Sequence, residues 1–322
     1  TATAHCDVLV IGGGPAGLMA ALAAGRTGAR VILAEEDFRL GGRLLADDLE
    51  IEGQPARDWA AAAQAELEQM PEVRILPRTT VFGVFDHGSY GAVERVGDHL
   101  AVPGAHQPRQ RAWRIVAKRS VLCAGALERP IVFGDNDRPN VMLAGAARSY
   151  INRFAAKSGD RAVVVTTGED GGRTAIALER AGVDVIAIAD ARTEASRSLQ
   201  VIADRAGARL LTGRVPLRAH GHGCVQALEL GMPDGSDRRV FDCDLVVMSN
   251  GWVPTVHLTS HLGGKPVWDA MAGAFLPGTL PPGMAVAGAA AGRLSLDECL
   301  TTGAWAGLEA ATAAGFEGSS VE

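Results

Sequence analysis

The stretch Asp7-Val-Leu-Val-Ile-Gly12-Gly13-Gly14-Pro15-Ala16-Gly17 decides the fold, because a run of aliphatic residues leads directly into a G-x-G-x-x-G turn and an Ala/Leu-rich segment. This pattern predicts the strand, turn and helix of a dinucleotide-binding unit. Gly12 makes the tight turn, Gly14 lets the backbone approach a pyrophosphate, and Gly17 lets helix and strand pack closely. The N-terminus of the helix provides the anion pocket.

A second aliphatic run, Val31-Ile-Leu-Ala-Glu35, follows the glycine turn and ends in an acid eighteen residues after Gly17. In this position a carboxylate accepts hydrogen bonds from a ribose. The predicted strand, turn and helix, together with Glu35, therefore all indicate a nucleotide-binding site.

The composition favours a two-domain α/β protein. The chain has 322 residues, 47% hydrophobic residues, 40 glycines and a net charge of −6. This charge argues against nucleic acid and anionic membrane as partners.

Because no apolar run approaches the length of a membrane span and no signal peptide is recognisable, we expect a cytoplasmic protein. The start at Thr1 suggests a piece of a larger polypeptide, although an artificial chain end or removal of the initiator Met would look the same.

The opening unit is repeated at an offset of 154 residues: Gly14 corresponds to Gly168 and Gly17 to Gly171. Two such units predict an α/β fold with two doubly wound dinucleotide-binding domains, the second inserted into the first, as in glutathione and thioredoxin reductases. We place the first domain at 1–125 plus 270–322 and the second at 126–269. The sequence predicts helices over 58–70 and 296–314 and a last strand over 284–292. A capping box of Ser295 and Glu298 begins the second of these helices.

The second unit lacks two features of the first. Thr166 stands where Gly12 stood, and Ala189 stands where Glu35 stood. Asp190 is still placed to bind a ribose and Arg192 to meet a 2′-phosphate. A nucleotide site and a structural relic are both compatible with this pattern.

The cysteines and histidines do not form a recognisable reactive site. The five cysteines, Cys6, Cys123, Cys224, Cys243 and Cys299, contain no C-x-x-C pair and no metal-ligand spacing, so we expect buried free thiols and no metal. His257 and His261 are spaced for one helix face but lack a matching carboxylate, so we interpret them as loop or surface residues.

At Ala124-Gly125-Ala-Leu-Glu128-Arg129-Pro130 and onward through Asn136-Asp137-Arg138-Pro139, the chain resembles the α subunit of heterotetrameric sarcosine oxidase. The resemblance extends to five further stretches: His5–Ile11, Arg78–His87, Pro108–Ile115, Gly251–Leu258 and Gly288–Leu296. It covers nearly the whole chain but only the central part of the family's long α subunit, whose ferredoxin-like and folate-binding domains are not represented.

The resemblance implies NAD in the first dinucleotide fold, with FAD and FMN in or at the interface with a partner β subunit of a hetero-oligomeric oxidase. The substrate would be a small N-methyl amine, sarcosine, and no catalytic base is assigned to this chain. Ala289 follows Gly288 where flavin relatives of this layout carry an Asp that holds the ribityl chain, which favours NAD. The predicted cofactor-binding residues are Gly12, Gly13, Gly14, Pro15, Ala16, Gly17, Glu35, Glu36, Gly42, Arg43, Val81, Ala124, Gly125, Gly288, Ala289, Leu294 and Leu296.

Two alternatives stay open. One is a stand-alone FAD-dependent NAD(P)H oxidoreductase of thioredoxin-reductase architecture, although the missing C-x-x-C pair excludes that family's dithiol exchange. The other is a non-catalytic structural subunit whose tightly bound NAD never turns over.

Overall fold

The computed structural model describes residues 1–317. The chain divides into two compact units: the first comprises residues 1–44, 49–127 and the chain from Val253 onward, and the second comprises 45–48 and 128–252. This division differs from the sequence-based domain limits at 45–48, 126–127 and 253–269, and those limits stay a prediction.

The first part of the chain supplies most of the first unit. Its elements are β1 (Ala2–Ile11), α1 (Pro15–Gly25), β2 (Val31–Ala34), a 3₁₀ turn (Gly42–Leu45), β3 (Glu50–Ile51), β4 (Gln54–Pro55), α2 (Ala56–Gln69), β5 (Val73–Leu76), β6 (Thr79–Phe85), β7 (Ser89–Glu94) and β8 (Arg111–Leu122).

The middle of the chain supplies the second unit, except that Ala126 and Leu127 of its first strand belong to the first unit. Its elements are β9 (Ala126–Glu128), β10 (Val141–Leu143), α3 (Ala144–Phe154), β11 (Arg161–Thr166), α4 (Asp170–Arg180), β12 (Asp184–Asp190), α5 (Arg197–Ala206), β13 (Arg209–Thr212), β14 (Val215–His220), β15 (Ala227–Gly231), β16 (Arg239–Asp242) and β17 (Leu245–Ser249).

The last part of the chain returns to the first unit. Its elements are β18 (Trp252–Pro254), a 3₁₀ turn (His257–Ser260), β19 (Val267–Asp269), β20 (Ala274–Leu276), β21 (Met284–Val286), a 3₁₀ turn (Gly288–Ala291) and α6 (Leu296–Ala313). The capping box predicted at Ser295 and Glu298 is confirmed. The predicted last strand is shorter than 284–292, because Gly288 adopts a φ of +64° and begins the 3₁₀ turn.

The main sheet of the first unit has the order β5-β2-β1-β8, and the outer edge of β8 is shared by two strands. β21 pairs in parallel with its end at Ser120–Leu122, and β7 pairs antiparallel with its start at Arg111–Val116. The chain adds β2 and β5 on one side of β1 and β8 on the other side. The carboxyl end of β1 therefore lies at the switch point where doubly wound sheets bind ligands.

The second unit repeats this plan on its own sheet. Five parallel strands follow the order β10-β17-β11-β12-β13, and β14, β15 and β16 form a separate antiparallel sheet. The predicted repeat is confirmed, since β11, α4 and β12 fall on the residues matched to the opening unit. The α/β fold class with two doubly wound units is likewise confirmed. Within residues 1–317, no helix is both long and apolar enough to cross a membrane.

A buried carboxylate fixes the start of the main sheet. Asp7, in the middle of β1, is 1% exposed and accepts hydrogen bonds from the Arg30 guanidinium at 2.8 and 3.0 Å. The Lys118 ammonium lies 2.8 Å from the same carboxylate. Arg30 first and Lys118 next hold the pKa of Asp7 well below its usual range. One carboxylate thus joins β1, the turn before β2, and β8.

We expect Asp7→Asn to lower the free energy of unfolding at pH 7 by about 2 kcal/mol, because charge-assisted hydrogen bonds to a buried group are lost. Since the pKa of folded Asp7 is depressed, this stabilisation is present above about pH 4 and is lost as the pH falls. Urea denaturation of both proteins across this range is the measurement. Glu66→Gln, which breaks an exposed pair with Arg26, is the control and should cost less than about 1 kcal/mol. Equal losses in the two variants would contradict the stabilising role of Asp7.

Candidate functional site

Two glycines of the opening motif are required by close backbone contacts. Gly12 has a φ of +102°, and a Cβ atom there would lie 2.4 Å from the carbonyl oxygen of Cys123. A Cβ atom at Gly17 would lie 1.7 Å from the carbonyl oxygen of Gly12. Helix α1 therefore begins directly against the end of β1, as the sequence predicts, and any larger residue would separate them.

Gly14 is in a different environment. Its φ is −72°, which other residues also adopt, and a Cβ atom there would meet nothing within 4 Å. It is the N-cap of α1; in the described chain no side chain caps this helix, and its first turn contains no acid. The first N–H groups of the helix and the positive end of its dipole thus face an open approach, which suits a phosphate.

Glu35 connects the end of β2 to the glycine loop. Its carboxylate is 7% exposed and accepts hydrogen bonds from the Gly13 N–H at 2.5 Å and the Asp37 N–H at 2.7 Å. Burial raises the pKa of Glu35, against the opposing effect of these two N–H donors. The carboxylate is held beside the loop in the position from which ribose hydroxyls are bound in this type of fold.

The glycine pair at 41 and 42 completes one side of the loop. The Gly41 N–H donates to the Gly13 carbonyl at 2.8 Å, and Gly41 has a φ of +122°. A Cβ atom at Gly42 would lie 3.1 Å from the Cα atom of Gly14. Gly41 is not among the predicted site residues, and its adjacency to Gly42 is the signal that could have identified it.

The turn after β21 packs against the same helix. A Cβ atom at Gly288 would lie 2.6 Å from the Ala16 Cβ atom, and the Gly288 N–H donates to Thr302 Oγ1 at 3.1 Å. Farther along, Gly303 of α6 approaches the backbone of Ala16. Ala289 follows in the 3₁₀ turn, and its side chain offers no hydrogen-bond acceptor.

Direct contacts connect nine of the predicted cofactor-binding residues to one another. The joined residues are Gly12, Gly13, Gly14, Ala16, Gly17, Glu35, Gly42, Ala124 and Gly288. Val81 lies on β6, Arg43 in the 3₁₀ turn after Gly42, and Leu296 at the start of α6. Glu36 is exposed, and Leu294 is 53% exposed. The cofactor-binding role of every predicted residue, including Pro15, Gly125 and Ala289, stays a prediction.

The thiols and histidines conform to the non-catalytic interpretation, with one correction. All five cysteines are free, and Cys6, Cys123, Cys243 and Cys299 are buried, but Cys224 is only half-buried because it lies in the turn between β14 and β15. Burial raises the pKa of Cys6 and of Cys243 to about 12, so these thiols are protonated and poorly reactive. His261 Nδ1 lies 3.3 Å from the Val84 N–H.

Comparison with known proteins agrees with this geometry. Residues 6–268 match the family model described as pyridine nucleotide-disulphide oxidoreductase. The chain is 47% identical over 302 residues to the sarcosine oxidase subunit alpha of Rhizobium meliloti (strain 1021), covering 94% of this chain and 30% of that protein. It is 43% identical to the corresponding subunit of Corynebacterium sp. (strain P-1), covering 97% of this chain and 33% of that protein.

These matches confirm the resemblance inferred from the sequence, and the chain spans about a third of the length of the curated relatives it matches. Among solved structures, thioredoxin reductase of T. acidophilum superposes with a TM-score of 0.75 at 16% identity, covering 96% of this chain and 98% of that one. A likeness at this identity concerns the fold alone.

Alanine substitutions at Gly17 and Gly14 should have different effects on the stability of the protein. Gly17→Ala should lower the free energy of unfolding by more than about 3 kcal/mol, because its methyl group would overlap the Gly12 carbonyl. Gly14→Ala should cost less than about 1 kcal/mol, because its methyl group enters open space. Chemical denaturation of the two variants and the parent protein measures this difference. Comparable losses in both variants would contradict the geometry of the loop.

Proposed function

Because the chain belongs to the pyridine nucleotide-disulphide oxidoreductase family, we propose that its first unit binds NAD at the glycine loop, within a sarcosine-oxidase-like complex. The observation that carries the proposal is the uncapped N-terminus of α1 at Gly14 beside the Glu35 carboxylate. These groups match two adjacent parts of an adenosine diphosphate moiety: amides for the pyrophosphate and a carboxylate for the ribose.

The residues present fit NAD better than FAD. Both cofactors share the adenosine diphosphate part, so the glycine loop does not distinguish them. The distinction depends on Ala289, which cannot accept a hydrogen bond from the ribityl hydroxyls of a flavin, whereas NAD has no ribitol. The neighbouring carboxylates of Glu35 and Glu36 also disfavour the 2′-phosphate of NADP by charge repulsion.

The chain's own contribution is to bind and orient the nucleotide. The start of α1 would hold the pyrophosphate and Glu35 the ribose, and the turn at Gly288 packs against Ala16. When bound, NAD supplies a nicotinamide ring that exchanges a hydride. No side chain of this chain is assigned as the base for amine oxidation.

We place amine oxidation in the assembled complex. The similar proteins named sarcosine oxidase subunit alpha support a small N-methyl amine, sarcosine, as substrate and a further subunit, which we propose is a β subunit, as partner. FAD and FMN, in or at the interface with that partner, would supply the redox chemistry of amine oxidation.

The repeat in the sequence provides a matched pair of variants to test the nucleotide site. Gly14→Ala should lower the affinity for NAD at least about tenfold, because the methyl group occupies the approach of the pyrophosphate. Gly168→Ala, at the corresponding position of the second unit, also enters space with no neighbour within 4 Å and should leave the affinity unchanged. The measurement is the NAD content of each purified protein, quantified by mass spectrometry after denaturation. Unchanged NAD in Gly14→Ala would contradict the proposal.

The activity of the complex is tested with its substrate. Addition of sarcosine to the purified complex should produce peroxide with consumption of oxygen, and sarcosine without its N-methyl group, glycine, should not. Peroxide formation from NADH in place of sarcosine would instead support a stand-alone NAD(P)H oxidoreductase. Bound NAD that stays oxidised throughout turnover with sarcosine would support a non-catalytic role for the nucleotide.

A further inference from the structure

The chain beside the glycine loop continues directly into a short segment that belongs to the second unit. The Gly41 N–H donates to the Gly13 carbonyl at 2.8 Å, and the 3₁₀ turn Gly42–Leu45 follows. Residues 45–48 are part of the second compact unit, although they lie between two stretches of the first in the sequence. Residues 41–44, which we call the strap, are therefore covalently joined to a piece of the second unit.

A buried ion pair binds residues 45–48 to helix α3. Arg148 of α3 and Asp47 are both buried, and Arg148 Nε donates to Asp47 Oδ1 at 2.8 Å. Asn152, one turn later on the same helix, donates from Nδ2 to the Ala46 carbonyl at 2.6 Å. Two side chains on one face of α3 therefore hold two adjacent residues of the segment.

Arg148 is held from the opposite side by helix α4. Its Nη2 atom donates to Asp170 Oδ2 at 2.9 Å, and its Nη1 atom donates to the Asp170 carbonyl at 3.3 Å and to Thr174 Oγ1. Burial disfavours the charged guanidinium, but the carboxylates of Asp47 and Asp170 outweigh this effect and raise the pKa of Arg148. Arg148 is therefore a charged, fixed anchor for residues 45–48.

The strap borders the approach to the start of α1. A Cβ atom at Gly42 would lie 3.1 Å from the Cα atom of Gly14, so the two backbones are in contact. Leu44 packs in the core of the first unit. Gly41 and Gly42, which precede it, have φ values of +122° and +52° and the conformational freedom of glycine. A shift of the strap would therefore change the space that a pyrophosphate at Gly14 can occupy.

We propose that Asp47 is a positioning residue for nucleotide binding, because its buried pair with Arg148 holds the strap in place beside the glycine loop. This inference rests on the proposed function in taking the glycine loop as the NAD site. Asp47 is not among the predicted cofactor-binding residues, and it acts through the strap, which carries the predicted residues Gly42 and Arg43.

Asp47→Ala tests the positioning role in the complete purified protein. The variant removes the carboxylate that pairs with Arg148, while Arg148 keeps its bonds to Asp170 and Thr174. We expect faster hydrogen–deuterium exchange of the backbone amides of the strap. We also expect release of NAD on dilution to be about fivefold faster, because residues that do not contact a ligand can change its binding by such factors. Mass spectrometry of the protein-bound fraction measures the release.

Two control variants separate positioning from a general loss of stability. Asp48→Ala removes the adjacent acid, whose pair with Arg180 is exposed. Because exposed pairs contribute little, this variant should leave strap exchange and NAD release within about twofold of the parent protein. Asp170→Ala removes the other acid that Arg148 binds and should lower the resistance of the protein to urea. It should leave strap exchange and NAD release unchanged, because the bond from Arg148 to Asp47 is retained.

The outcomes distinguish the positioning role from the identity of the nucleotide. Unchanged strap exchange in Asp47→Ala would overturn the proposal, and so would faster exchange with unchanged NAD release. Equal effects of Asp170→Ala would also overturn it, since they would reflect a general loss of stability. A parent protein without NAD would count against the proposed function alone. Strap exchange then still decides the positioning role, and the dinucleotide that the protein carries replaces NAD in the release measurement.

A second variant keeps the test decisive if Asp47→Ala does not fold. Asn152→Ala removes only a part-buried hydrogen bond, the one to the Ala46 carbonyl. We expect faster strap exchange and about threefold faster NAD release in this variant, since one such bond contributes modestly. Parent-like values for both quantities would overturn the proposal.

Discussion

The close approach of α1 to the end of β1 is the constraint on which the first unit depends. A Cβ atom at Gly17 would lie 1.7 Å from the carbonyl oxygen of Gly12. The helix therefore begins too close to β1 for any side chain at position 17. This contact brings the first N–H groups of α1 to the switch point of the sheet. The positions of Glu35, Gly42 and Gly288 follow, because each is packed against the loop or the first turn of this helix.

The two units show how one supersecondary pattern leads to opposite electrostatics. In the first, the N-terminus of α1 has no acid and no cap, and its positive potential is available to a ligand. In the second, the carboxylates of Glu169 and Asp170 lie at the corresponding end of α4, where they pair with Arg192 and Arg148. Negative charge from the chain itself therefore lies at the start of α4. A shared fold therefore does not imply a shared ligand, and the function of each unit must be argued from its own side chains.

Much of the fold could be predicted from the sequence because its signals are local. The glycine spacing, the aliphatic runs and the capping box of Ser295 each act over a few residues, and the structure contains all three. The ion pairs of Arg192 could not be predicted, since Arg192 bridges Asp190 at the end of β12 and Glu169 at the start of α4, which are distant in sequence. The same limit applies to Gly41, whose bond to Gly13 joins residues far apart in the chain. The last strand is shorter than predicted because the positive φ of Gly288 ends it within an apolar run.

An experimentally determined structure of the purified complex with its native cofactors tests the central claim most directly. We predict a dinucleotide in the first unit, with its pyrophosphate at the start of α1, its ribose hydroxyls within hydrogen-bond distance of Glu35, and nicotinamide at its far end. A flavin ring system at the far end of that nucleotide would contradict the assignment of NAD, and the ribityl hydroxyls would then have to be bound by a group other than Ala289.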